Sequence, residues 1–101
     1  MSLDNEIRLS LEKTIDHFIK TPVESEKNAS LILETQGIEP NLEAILSSIA
    51  GTAWGFTQAF YIVKYSRNMN EDELIDFYQL MKRRARELRE AFIEPRITPI
   101  E

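Results

Sequence analysis

There is no cysteine in the 101 residues, and only one histidine, one tryptophan and three glycines. The missing thiols exclude a disulfide framework, a cysteine nucleophile and any zinc site with sulfur ligands, and they make the cytoplasm the simplest compartment to expect. With His17 as the sole imidazole, general acid–base work near neutral pH would fall to that residue or to a perturbed carboxylate. His17 stands beside Asp16 and near Lys13 and Lys20, a setting that reads as solvated surface. No Ser/His/Asp order, nucleophile elbow, phosphate-binding glycine loop or dinucleotide fingerprint occurs. The amino-terminal stretch lacks a basic region followed by an apolar one, so no secretory signal is read there, and the glycosylation triplet Asn28-Ala29-Ser30 reads as accidental.

Bases are also in short supply: 17 acids against 12 lysines and arginines leave a net charge of −5. Residues 1–81 hold 13 acids and 6 bases, net −7, whereas residues 82–96 hold 6 bases and 3 acids, net +3. Overall acidity argues against nonspecific nucleic-acid binding, and the polarisation along the chain favours self-association.

What is present is helical periodicity. Hydrophobic residues make up 43% of the chain, enough for one modest globular domain. The most distinctive stretch is Ala44 to Val63, twenty consecutive residues without a formal charge. Wound as a helix, it groups Leu42, Leu46, Ile49, Ala53, Phe56, Phe60 and Val63 on one stripe. Ala44, Ser47, Ser48, Gly51, Gly55 and Ala59 lie behind it, small enough for a second helix to approach closely. The run is about as long as a membrane span, but Ser47, Ser48, Thr52, Thr57 and Gln58 and the apolar faces of its neighbours argue for burial in a bundle.

The other elements follow from spacing and punctuation. Leu3, Ile7, Leu11, Ile15, Phe18 and Ile19 predict an amphipathic helix over about 3–20. Thr21-Pro22-Val23-Glu24 reads as N-cap, first-turn proline and capping box of a second helix, which ends near Gln36 with Gly37 as terminator. The third helix is predicted from Pro40 to about Ser66. The fourth starts after the N-cap Asn70, with Glu71, Asp72 and Glu73 in its first turn. Its apolar stripe is Leu74, Phe77, Tyr78, Met81, Ala85, Leu88 and Phe92, and it is predicted to stop near Ile93 because Pro95 disfavours helix before it. The expected architecture is therefore all-α: a four-helix up-down bundle over residues 1–94, with a long central third helix, completed by homodimerisation and followed by an extended tail over 95–101. The dimer interface is assigned to Ser47, Gly51, Trp54, Gly55, Ala59 and Tyr61.

Two constellations compete with a purely structural reading. Glu73-x-x-Asp76 and Glu12-x-x-x-Asp16 each set two carboxylates on one helical face, so Glu73 and Asp76 are the candidate metal ligands. Glu73-x-x-Asp76 resembles the second half of the metal motif of all-α nucleotide pyrophosphohydrolases, which would imply metal-dependent nucleotide hydrolysis. Glu24 and Glu26 do not reproduce that family's preceding glutamate-rich helix. Lys82, Arg83, Arg84, Arg86 and Arg89 form a candidate phosphate or nucleic-acid surface, although Glu87, Glu90 and Glu94 stand at pairing distance along the helix. The function expected is a small non-catalytic cytoplasmic interaction or regulatory module, acting as a homodimer or on an unidentified protein partner, with no cofactor.

Overall fold

The computed structural model describes residues 3–97, and side chains over residues 3–93. The described chain is four helices and no strand: α1 Asn5–Lys20, α2 Pro22–Thr35, α3 Leu42–Tyr65 and α4 Glu71–Ile97. All six helix pairs touch, so one core serves the whole domain.

Local chemistry marks most of the boundaries. Asp4 caps α1, its Oδ1 accepting the amides of Glu6 at 2.9 Å and Ile7 at 3.1 Å. Thr21 precedes α2, but its hydroxyl donates to the His17 carbonyl at 2.8 Å and makes no cap bond, so the expected capping box does not form. The backbone N–H of Thr21 donates to the same carbonyl, which ties α1's last turn to the start of α2. At the far end of α2, Gly37 has φ 71°, Ile38 N–H reaches the Leu33 carbonyl and Gly37 N–H the Glu34 carbonyl, the Schellman pattern that a left-handed glycine permits. α3 begins after Asn41, whose Oδ1 accepts the Ala44 amide at 2.9 Å, two residues later than Pro40 suggested. Asn70 and Glu73 form a reciprocal box at α4: Asn70 Oδ1 accepts Glu73 N–H at 2.9 Å and Glu73 Oε1 accepts Asn70 N–H at 2.8 Å.

α4 continues through Pro95 to Ile97, beyond the stop expected at Ile93, so the extended tail does not begin at 95. The proline forfeits one helical bond, yet the fully buried Phe92 anchors the turn before it. Residues 98–101 of the expected tail lie outside the described residues.

Burial follows steps of four. Leu3, Ile7, Leu11 and Ile15 are buried at the first element, and Ile45, Ile49, Ala53, Thr57 and Tyr61 along α3. A four-residue step overshoots a full turn by about 40°, so the buried seam of α3 creeps about 160° round the helix between Ile45 and Tyr61. This precession corrects the expected stripe. Ile49 and Ala53 lie on both, but Phe56 is 38% and Val63 85% exposed, while Thr57 and Tyr61 occupy the core instead. Thr57 is satisfied there by donating to the Ala53 carbonyl at 2.8 Å. No buried side-chain nitrogen or oxygen among the described residues lacks a partner.

Candidate functional site

The carboxylates proposed for metal binding are committed to other tasks. Glu73 is 6% exposed, and Arg67 grips it in a fork, Nη1 to Oε1 at 2.7 Å and Nη2 to Oε2 at 3.0 Å. The Arg67 guanidinium holds the Glu73 carboxyl below its ordinary range against the opposing effect of burial, with the Asn70 amide assisting. Asp76 Oδ2 accepts the Leu3 amide at 3.0 Å. Glu12 and Asp16, the other pair, converge on Arg84 at 2.5 and 2.6 Å. Among the described residues, no three His, Cys, Asp or Glu side chains gather where they could hold a metal ion.

A polar crease joins the chain's start to the α3–α4 turn. Asp4 N–H donates to the Tyr61 hydroxyl at 2.8 Å, and the Asp4 carboxylate receives Lys64 at 2.9 Å and the Tyr65 hydroxyl. The Tyr65 hydrogen bond, then that of Lys64, holds the Asp4 carboxyl far below the usual range, while the same contacts raise Lys64 and Tyr65. Arg67 lies over both Tyr61 and Tyr65, at 5.4 and 5.2 Å from the ring centres. Tyr61 is therefore a core residue at 0% exposure, and its assignment to an outward interface is corrected. The seven-residue spacing of Trp54 and Tyr61 does not separate these roles, because the seam turns as it climbs the helix.

The basic run of α4 resolves into ion pairs. Arg83 meets Glu12 at 3.3 Å, Arg84 meets Glu12, Asp16 and Glu87, Arg86 meets Glu90 at 3.2 Å and Arg89 meets Glu43 at 3.0 Å. Arg84 is the most enclosed of them, and its charge is further stabilised by Asp16, Glu87 and Glu12. Lys82 alone in this run has no acid partner among the described residues. The side chain of Glu94 lies outside the described residues.

The remaining interface residues, Ser47, Gly51, Trp54, Gly55 and Ala59, are all exposed on α3. A methyl group added at Gly51 or Gly55 would meet nothing within 4 Å, so no other element among the described residues packs on them. On one side of this strip, α2 residues Ser25, Asn28, Ala29 and Ile32 line a groove with Ser48 and Thr52. Further along, a hollow of about 260 Å³ is lined by Phe56, Ala59, Phe60 and Val63, all from α3. No helix among the described residues is long and apolar enough to cross a membrane. Against known proteins, the chain matches no family model, no curated protein and no solved structure.

Proposed function

We propose that the protein is a non-catalytic interaction module that associates with a second copy of itself through the outer side of α3. One observation carries the reading: the uncharged run from Ala44 to Val63 is only half used by the core, leaving Trp54 41%, Ile62 51% and Val63 85% exposed beside Gly51, Gly55 and Ala59. Length explains why the described residues do not cover this face. The 24 residues of α3 span about 36 Å and the 14 of α2 about 21 Å, so roughly 15 Å of α3 outruns the shorter helix. Contiguous apolar surface of this kind marks association sites in soluble proteins. A strip without charge has nothing to select a charged partner, and two copies about a two-fold axis set it against its own apolar match.

The ion pairs run against the expected up-down order, in which α1 and α3 would be parallel: Asp4 before α1 meets Lys64 at the end of α3, so these two helices are antiparallel, while Glu43 at the start of α3 meets Arg89 late in α4 and sets α3 and α4 antiparallel as well. The absence of cysteine supports a cytoplasmic setting. Sedimentation equilibrium on the wild type, Ala59→Glu and Val63→Glu tests the proposal. A wild-type dimer at tens of micromolar that both acidic variants convert to a folded monomer is the expected result. A wild type that stays monomeric over that range, or variants that dimerise unchanged, would refute it.

A further inference from the structure

On the other edge of α3, towards its amino-terminal half, a second groove opens against α4 and encloses about 350 Å³. Its floor is apolar. Leu88 is buried, and Leu46 and Met81 are partly buried against the core. Ala50 of α3 and Ala85 of α4 also line the groove and are exposed, and their short side chains leave the slot open. Glu43 and Arg89 pair with each other where they line it, so that part of the rim contributes no net charge.

Lys82 is the remaining charged residue of the groove, and it is the one base of the α4 run left without an acid partner among the described residues. The neighbouring arginines are all neutralised, so the single uncompensated cation of the run among the described residues lines this apolar groove. A volume near the lower end of the range for small-molecule sites suits a short ligand and is too small for a large cofactor. We infer that the α3–α4 groove binds a small amphipathic anion, a carboxylate carrying a short unbranched alkyl chain, with the chain on Leu46, Met81 and Leu88 and the head group on the Lys82 ammonium. The groove is distinct from the hollow lined by Phe56, Ala59, Phe60 and Val63, with which it shares no residue, and Ser47 is the one expected interface residue that also lines it.

Calorimetric titration of the full chain with straight-chain carboxylates from hexanoate to dodecanoate tests it, with amide chemical-shift mapping to locate the site. Saturable one-to-one binding is expected, strengthening by up to about fourfold per methylene and levelling off once the slot is full. Shifts should centre on Ala50, Met81 and Ala85 and spare Val63. Lys82→Glu should weaken decanoate roughly tenfold with little change in folding, because the residue is exposed and unpaired. Ala85→Leu, a substitution that a helix tolerates well, should fill the slot and abolish binding. The inference is overturned if decanoate shows no saturable binding below its micellar limit, if the shifts centre on Val63, or if neither variant alters its affinity. It is equally overturned if decyltrimethylammonium binds as tightly as decanoate.

Discussion

Removing the Arg67 guanidinium would strand a carboxylate that the fold has taken out of water. The Glu73 side chain is 8% exposed, whereas that of Arg67 is 44% exposed, so the pair lies between two regimes. Breaking a fully buried pair costs about 3 to 5 kcal/mol. A solvent-exposed pair is worth about 0.2 to 1 kcal/mol. An intermediate loss of about 2 kcal/mol is expected for Arg67→Ala, and stacking over Tyr61 and Tyr65 adds roughly 0.5 kcal/mol or more. For a domain of this size that lowers Tm by about 10 °C. Glu73→Gln should cost about 1.5 kcal/mol, since the amide oxygen still accepts Asn70 N–H but one arm of the Arg67 fork loses its acceptor. Arg67→Lys keeps the charge and loses the fork, and should fall between the wild type and the alanine variant. Urea unfolding of Arg67→Ala, Glu73→Gln and the double variant that combines them closes a cycle whose coupling energy should be about 1 to 2 kcal/mol. If Arg67→Ala costs under about 0.5 kcal/mol, the pair is ornamental and its enclosure has been misjudged.

Other perturbations separate roles that look alike in the sequence. Asn41→Ala should cost about 1 kcal/mol because it removes a genuine cap, whereas Thr21→Ala should cost about half that, since its hydroxyl bonds backwards to His17; equal losses in thermal unfolding would contradict the distinction. Gly55→Ala should stabilise the monomeric domain by up to about 1 kcal/mol, and Gly37→Ala should destabilise it by a similar amount because its φ of 71° suits glycine; a loss at Gly55 would mean that something already packs there. Asp4 and Glu73 are held below their ordinary values of 3.8 and 4.5, so the unfolded chain binds more protons in acid. Their contribution is present above those values and is lost as pH falls through and below them. Tyr61, raised by burial, and Tyr65, raised by its bond to Asp4, contribute stability that is lost as pH rises beyond 10. Unfolding free energy against pH should therefore show a plateau with two flanks, and the acid flank should shrink in Asp4→Asn.

The helices were legible where a residue's role depends on near neighbours in the chain. The step from Leu3 to Ile15, the Asn70–Glu73 spacing and the glycine at 37 each carry their meaning within a few positions. The burial of α3 was not legible in the same way, because a uniform 100° projection fixes one sector while the actual seam turns as neighbouring helices cross. That is why the projection sets Val63 on the apolar stripe while the structure leaves it exposed and buries Tyr61 instead. Charge was ambiguous for a related reason. Glu12 and Asp16 share a helical face, but their use depends on Arg84, 68 residues beyond Asp16. Lys82 and Arg83 are adjacent in sequence, and only the packing of α1 beside α4 gives one of them an acid.

The crease at Leu3 and Asp4 also bears on the order in which the molecule assembles. Its bonds reach from Leu3 to Asp76 and from Asp4 to Tyr61, separations of 73 and 57 residues. Closing such distant loops is entropically slow, so helices should form first and the crease should fasten late. The same crease is then the natural place for the native state to come undone in part. The Leu3 and Asp4 amides should exchange with deuterium faster than those of the α3 core, through an opening that detaches the first turn of α1 while the rest of the bundle stays folded. Exchange of these two amides at the rate of the slowest core amides would instead make the crease part of the global unfolding unit.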